Sequence, residues 1–220
     1  GVQTCALPIS AGSYSGVFDG LAHDPSACVV TGVYTGDLTC ANNPASVGPN
    51  VGSGAVAPVT SGTGLSNFNV AAVNGSFTIT QAPSTTTVVV SNATYDGAAH
   101  GGTASATGVG GLNQTLVVSY SGRNGTIYAS STTAPSNAGD YTASASFAGD
   151  LNHTSSNDSK EYSIAKATST TVVTCDAGPF TYSGSAIMPC NVLVTGAGSL
   201  SQTPTPTYAN NINAGTATAS

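Results

Sequence analysis

Charged residues are scarce in this chain. Of its 220 residues only three are Lys or Arg and nine are Asp or Glu, so charged residues make up 5% and the formal net charge is −6. Soluble domains carry about 25% charged residues on average. Because nucleic-acid binding needs clustered cations, three cations give no surface that could neutralise phosphates. We therefore predict no nucleic-acid partner.

Large apolar and helix-forming residues are also few. The chain has no Trp, and no apolar run approaches the roughly 18 residues of a membrane span. With little Leu, Glu, Lys or Arg there is little material for helices, whereas the abundant Thr, Val, Ser and Ala suit half-buried strands. In Tyr141–Phe147 apolar and hydroxyl side chains alternate with a period of two, as in a strand with one buried face. We predict an all-β fold without a membrane span.

What the chain does contain is an internal repeat. Ile79–Val88 returns as Ile164–Val173, Tyr95–Gly97 returns as Tyr182–Gly184, and an earlier Phe18–Gly20 marks a more divergent copy. The period is that of a small β-domain, which indicates domains in tandem rather than a solenoid.

The repeat divides the chain into four stretches. Residues 1–9 match the translation of a sequencing-adapter oligonucleotide, so we expect a scar that does not belong to the domains, with a genuine N-terminal strand as the alternative. We name residues 10–82 repeat 1, residues 83–167 repeat 2 and residues 168–220 repeat 3. Repeat 1 is divergent, repeat 2 is complete, and repeat 3 stops within a strand pattern. Both ends of the sequence are expected to be accidents of sampling from a longer protein.

Repeat 2 carries the clearest strand pattern. Six or seven short strands in about 85 residues are typical of an immunoglobulin-like β-sandwich. Asn124-Gly125 predicts a hairpin turn, and Pro204 and Pro206 in repeat 3 predict an edge strand. The predicted strands of repeat 2 are 85–90, 103–107, 115–120, 126–129, 141–147 and 160–165.

Four cysteines remain once Cys5 is set aside with the scar. Cys175 and Cys190 occur together in repeat 3, and neither has a counterpart in repeat 2, as expected for a bonded pair. A disulfide across their 15-residue separation would contribute about 3 kcal/mol; two buried free thiols are the alternative. Cys28 and Cys40 flank a predicted hairpin turn and could form a second bond. Paired cysteines indicate an oxidising location outside the cytosol.

The chain offers little that could carry catalysis. His23 and His100 occupy equivalent repeat positions, which favours a structural or surface role, and no hydrolase, phosphate-binding or metalloprotease motif is present. Zinc is disfavoured because no CxxC occurs. Gly149–His153 with Asn157-Asp158 could offer oxygen atoms to calcium, although a turn before the last strand is the simpler interpretation. We predict no enzyme, no cofactor and no metal site.

Several of these segments together resemble a known family. Tyr95–Gly97, Thr107–Leu112, Asn137–Ala143 and Phe147–His153 are similar to the bacterial immunoglobulin-like repeats called MBG or YDG domains, which occur in tandem in large secreted and surface proteins. The resemblance covers most of residues 10–220. It implies tandem immunoglobulin-like β-sandwiches, and it implies no catalytic residues.

Two functions are compatible with this pattern. The first is a bacterial extracellular repeat protein that forms a stalk or adhesive array at the cell surface, with neighbouring repeats and cell-surface or extracellular polysaccharide or protein ligands as partners. The second is a spacer or carbohydrate-binding region of a secreted multidomain enzyme. Sugar sites generally need aromatic platforms, and Tyr34, Tyr120 and Tyr128 are the candidates.

Overall fold

The computed structural model describes residues 6–32 and 37–220. Within these ranges the regular structure consists of β-strands and two 3-10 turns, at Leu65–Asn67 and Val109–Gly111, with no α-helix. The prediction of an all-β fold is therefore confirmed. No helix in the described part of the chain is long and apolar enough to cross a membrane.

Nineteen strands are found in the described residues. The first nine are β1 (Ala6–Ser10), β2 (Tyr14–Val17), β3 (Val29–Val30), β4 (Thr39–Asn43), β5 (Gly52–Ser61), β6 (Asn69–Val73), β7 (Gly75–Thr80), β8 (Ser84–Val89) and β9 (Ala93–Thr94). The next five are β10 (Thr103–Gly108), β11 (Asn113–Leu116), β12 (Ser119–Arg123), β13 (Gly139–Phe147) and β14 (Ser156–Ala165). The last five are β15 (Ser169–Cys175), β16 (Cys190–Gly196), β17 (Leu200–Gln202), β18 (Tyr208–Ala209) and β19 (Thr218–Ala219).

The chain divides into two compact units. Unit 1 holds the residues up to Val88 together with Thr103–Val117 and Ser144–Ser159. Unit 2 holds Val89–Gly102, Val118–Ala143 and Lys160–Ser220.

Unit 1 contains three sheets. In the first, β1 lies between β3 and β6, antiparallel to β3 and parallel to β6. The second has the order β2-β7-β5-β4, with β2 parallel to β7 and the other neighbours antiparallel. The third has the order β11-β10-β8. β5 and β7 pair between residues 52–56 and 75–79, and Val56 and Ile79 lie in one apolar cluster with Phe18, Val47 and Ala82.

The segment ahead of repeat 1 is part of this packing. Leu7 and Ile9 of β1 are buried and form a second cluster with Leu38. For Ala6–Ser10 the structure has a strand.

Unit 2 is built around tyrosine rings. The sheet β12-β13-β14-β9, which lies largely in this unit, places Tyr120, Tyr141 and Tyr162 in its buried interior. The rings of Tyr141 and Tyr162 have centroids 5.7 Å apart, and those of Tyr120 and Tyr162 are 6.4 Å apart in an edge-on arrangement. Burial raises the pKa of Tyr162 and of Tyr141. These rings supply core area that Leu and Trp provide in other chains.

Repeat 3 contributes the sheet β15-β16-β17 and the short pair β18-β19 to unit 2. Cys175 and Cys190 lie opposite each other in the β15–β16 register and form a disulfide. Cys28 and Cys40 form the other disulfide, in unit 1. The turn predicted between Cys28 and Cys40 falls partly on residues 33–36, outside the described residues.

The strands predicted for repeat 2 are found with three differences. Residues 115–120 are not one strand, because β11 ends at Leu116 and β12 begins at Ser119 in another sheet. Residues 126–129 are not a strand, although the Gly122 N–H donates to the carbonyl of Tyr128 at 2.9 Å. Ser156–Ala165 begins four residues earlier than predicted. The turn at Asn124-Gly125 is present, with φ values of 52° and 86°.

Candidate functional site

The three repeats share one turn, which we call the aromatic–glycine turn: Phe18–Gly20, Tyr95–Gly97 and Tyr182–Gly184. In each, the middle side chain accepts the backbone N–H two residues further on. The distances are 2.9 Å from Leu21 N to Asp19 Oδ1, 2.8 Å from Ala98 N to Asp96 Oδ1 and 3.4 Å from Ser185 N to Ser183 Oγ. The glycines have φ values of +84°, +88° and +77°, a conformation that strongly favours glycine.

Histidines complete the first two turns. His23 Nε2 lies 3.0 Å from Asp19 Oδ1, and His100 Nε2 lies 2.9 Å from Asp96 Oδ1. The pKa of Asp19 is lowered by the Leu21 N–H and by His23. The pKa of Asp96 is lowered by the Ala98 N–H, against an opposing effect of burial, and by His100. Both histidines thus support the turn that precedes them.

The turn of repeat 1 packs against a glycine loop of repeat 2, Thr107–Leu112. A Cβ placed on Gly20 would lie 2.9 Å from the Cα of Gly110, and a Cβ placed on Gly110 would lie 2.7 Å from two ring atoms of Phe18. Gly110 has a φ of +64°. Because Gly20 has no side chain, the backbone of Gly110 can lie directly against it. Because Gly110 has none, the Phe18 ring can do the same on the other side of the contact.

His153 lies at the same junction and is 4% exposed. Its ring meets Phe18 edge-on, with centroids 5.2 Å apart. Its Nδ1 lies 2.9 Å from Asp150 Oδ1, and its Nε2 lies 2.9 Å from the carbonyl oxygen of Val109. Because a carbonyl and a carboxylate can only accept, both bonds form together when both ring nitrogens carry protons. His153 is therefore held between the Asp150 carboxylate and the Val109 carbonyl.

The link between repeats 1 and 2 is hydrogen-bonded along its length. The Ala82 N–H donates to the carbonyl of Asn152 at 2.9 Å, and the Thr154 N–H donates to the carbonyl of Ala82 at 2.9 Å. The amide oxygen of Asn152 accepts the Val51 N–H at 3.0 Å, and Gln81 Nε2 donates to the carbonyl of Asp150 at 2.7 Å. The side chain of Ala82 is buried in the cluster around Phe18. We call Phe18–Gly20, Gly110, Ala82 and Asn152–His153 together the first joint.

Of the segment considered for calcium, Asn152 and His153 belong to the first joint, and Asp150 bonds to the His153 ring. The pKa of Asp150 lies below its ordinary value of 3.8: burial raises it, and hydrogen bonds from the Asn152 N–H, the His153 ring and the His153 N–H outweigh burial. Asp158 accepts the Val88 N–H at 2.8 Å. Within residues 6–32 and 37–220, no three His, Cys, Asp or Glu side chains are grouped so that they could hold a metal ion.

The aromatic residues considered as sugar platforms are placed differently from one another. Tyr120 is 4% exposed, and its hydroxyl accepts the Gly102 N–H and donates to the Gly102 carbonyl, so its ring cannot be a surface platform. Tyr128 is half-buried beside a surface hollow of about 530 Å³, with its ring edge-on to Tyr141. Tyr34 lies outside the described residues.

No protein-family model, curated protein or solved structure matches the chain. The joint thus has to be interpreted from its own geometry. Phe18–Gly20 and Thr107–Leu112 both belong to the repeat pattern of the sequence, which does not show that they are in contact. The sequence signal for this contact was a glycine at a fixed position in each motif, Gly20 in the turn and Gly110 in the loop.

We predict that Gly110→Ala destabilises the chain more than Gly111→Ala. Both glycines have positive φ, and alanine there costs about 1–2 kcal/mol, but a Cβ on Gly111 meets no atom within 4 Å among the described residues. At Gly110 the Cβ must displace Phe18, which adds about 1–3 kcal/mol of overpacking. Urea unfolding of the two variants measures the difference. Equal losses would show that the contact with Phe18 does not matter.

The lowered pKa of Asp150 predicts acid sensitivity of the first joint. A carboxylate whose pKa is lowered by folding stabilises the folded chain above its ordinary pKa of 3.8, and this stabilisation is lost as the pH falls through the lower folded value. The melting temperature should therefore fall from about pH 5 to about pH 2, and Asp150→Asn should flatten this fall. Asp24→Asn, at an exposed position, is the control. An equally steep fall in Asp150→Asn would contradict the prediction.

Proposed function

We propose that this chain is part of a bacterial extracellular repeat protein, in which tandem immunoglobulin-like β-sandwich modules of MBG type form a stalk or adhesive array at the cell surface. The observation that carries the proposal is the first joint. A spacer keeps its ends apart only if neighbouring modules are held in one relative orientation, and a flexible linker would lose that property. Here the link at Ala82 is hydrogen-bonded on both sides and buried, which supports a fixed orientation of repeats 1 and 2.

Composition and cross-links support the extracellular setting. Two disulfides, Cys28–Cys40 and Cys175–Cys190, suit an oxidising compartment. Because only twelve of the 220 residues are charged, most polar side chains of the chain carry hydroxyl or amide groups. The three histidines, His23, His100 and His153, each bond to an Asp of the same turn or loop, where they support local structure. We accordingly assign the chain no catalytic activity and no cofactor.

The alternative is a spacer or carbohydrate-binding region of a secreted enzyme. Its support is the hollow beside Tyr128, which is also lined by Asn124 and Asn137. Amide side chains next to an aromatic ring can hold a sugar by hydrogen bonds and ring contact. The hydroxyl of Tyr128 already donates to the carbonyl of Thr133 at 2.7 Å, and Asn124 Nδ2 donates to Asp140 Oδ2 at 3.1 Å. The ring face and the Asn137 amide are therefore the groups proposed to bind.

The stalk proposal predicts an elongated particle in solution. A compact chain of this length has a radius of gyration of about 17 Å, and rigid modules held end to end should exceed this value clearly in small-angle X-ray scattering. Gly110→Ala should broaden the distribution of interatomic distances, because it loosens the first joint, and Gly111→Ala should leave it unchanged. A radius near the compact value for the unmodified chain would contradict the stalk.

The carbohydrate alternative predicts retention by an insoluble polysaccharide. Binding that is lost in Tyr128→Ala and kept in Ile127→Ala would favour it, because the neighbouring Ile127 side chain is fully exposed and serves as a matched control for a change at this surface. Retention that is the same for both variants and the unmodified chain would assign no role to Tyr128.

A further inference from the structure

The contact between an aromatic–glycine turn and a glycine loop occurs a second time, between repeats 2 and 3. A Cβ placed on Gly97 would lie 2.9 Å from the Cα of Gly198, the same separation as at the first joint. A Cβ placed on Gly198 would lie 2.7 Å from ring atoms of Tyr95, which stands where repeat 1 has Phe18. Gly198 has a φ of +64°, equal to that of Gly110. Two pairs of repeats thus use one contact geometry.

The two glycine loops correspond in sequence. Thr107–Leu112 and Thr195–Leu200 both have the order Thr-Gly-x-Gly-x-Leu, and the glycine that meets the aromatic ring is the fourth residue of each. Neither contact includes a charged group of the loop. Recognition therefore depends on a missing side chain and on an aromatic ring lying against backbone, which an uncharged loop of this kind satisfies.

Repeat 3 presents the same turn without such a loop against it. In Tyr182–Gly184 the φ of Gly184 is +77°, and the Ser185 N–H donates to Ser183 Oγ. The backbone after each turn is held alike: the N–H groups of His23, His100 and Ile187 each donate to a carbonyl at 2.9 Å. Among the described residues, a Cβ on Gly184 would approach only Tyr182 Oη, at 3.8 Å. The space that glycine loops fill at the other two turns is open here.

Exposure separates the third aromatic residue from the first two. Phe18 is 6% exposed, Tyr95 is half-buried and Tyr182 is 62% exposed. The Tyr182 ring is exposed to solvent on a turn that is already formed. At the other two turns the equivalent ring is covered by a glycine loop of the next repeat.

We propose that Tyr182–Gly184 is a docking surface for the Thr-Gly-x-Gly loop of a further repeat of this kind, with the loop's second glycine against the ring of Tyr182. The proposal rests on the proposed function in one respect: further repeats exist to be bound. It goes beyond that function by naming the surface, the occupant and the glycine that recognition requires.

The test extends the chain by one repeat. A second copy of residues 145–167 followed by a second copy of residues 83–167 is fused after Ser220. This junction is chosen because Asn213-Ala-Gly215 repeats Asn137-Ala-Gly139, so that Ser220 corresponds to Ser144. The extension supplies one new glycine loop, and Tyr182 remains unique in the fusion. Hydroxyl-radical footprinting with mass spectrometry then measures the oxidation rate of Tyr182. We expect a severalfold fall, to the rate that Tyr95 shows in the unextended chain.

Two variants of the extension serve as matched controls. Alanine at the copied Gly110 should restore fast oxidation of Tyr182, whereas alanine at the copied Gly111 should leave Tyr182 protected. Unchanged oxidation in the extended chain would overturn the proposal, and so would protection that survives alanine at the copied Gly110. Protection that appears in the unextended chain as its concentration rises would assign the surface to a second copy instead, and would also overturn it.

A second measurement does not depend on whether the extension folds. In the unextended chain, Gly198→Ala should raise the oxidation rate of Tyr95 while Tyr162 stays protected, and Gly125→Ala should change neither rate, because a Cβ there meets no atom within 4 Å among the described residues. An unchanged rate for Tyr95 in Gly198→Ala would show that the glycine contact does not hold repeats together. A compact scattering profile would count against the stalk and would leave these oxidation rates unaffected.

Discussion

Unit 2 depends on tyrosine hydroxyls that bond to backbone carbonyls. A buried hydroxyl without a partner costs free energy, and here each ring that fills the interior also ties down a loop. Tyr162 donates to the carbonyl of His100 at 3.0 Å, and Tyr141 donates to that of Asn137 at 2.8 Å. Tyr120 and Tyr208 bond to Gly102 and Cys190 in the same way, at equivalent positions of repeats 2 and 3. The same tyrosines therefore fill the core and fix the positions of the loops.

The carbonyl of His100 connects this network to the junctions between repeats. His100 follows the turn Tyr95–Gly97 and bonds to its Asp96, while its own N–H donates to the carbonyl of Pro135. The turn is thus held from behind by the core of its own repeat, and its glycine faces a loop of the next. The glycine leaves backbone uncovered at the contact, and the hydrogen bonds of His100 hold that backbone in place. Both are needed, because another repeat can recognise an uncovered backbone only if its position is fixed.

The sequence predicted the fold class and most strands of repeat 2, because the alternation in Tyr141–Phe147 and the glycines between strands are local signals. It could not show that the strand at 115–120 breaks after Leu116, since Val117 and Val118 continue a β-type pattern while the chain passes between sheets. Pro204 and Pro206 fall between β17 and β18, in neither strand. The first joint was not predictable, because contacts such as Phe18 with Gly110 join residues far apart in the sequence. The repeat showed only which glycines to examine.

The scarcity of Lys and Arg limits where a protease that recognises these residues can cut the chain. A protease that cuts after Lys or Arg finds three sites in the whole sequence. Arg123 lies in β12 with its Nε donating to the carbonyl of Tyr141, and Lys160 lies within β14. Lys166 is exposed outside any strand, in the link between repeats 2 and 3. Digestion by such an enzyme would therefore begin at Lys166 and separate repeat 3 from repeats 1 and 2, which stay joined.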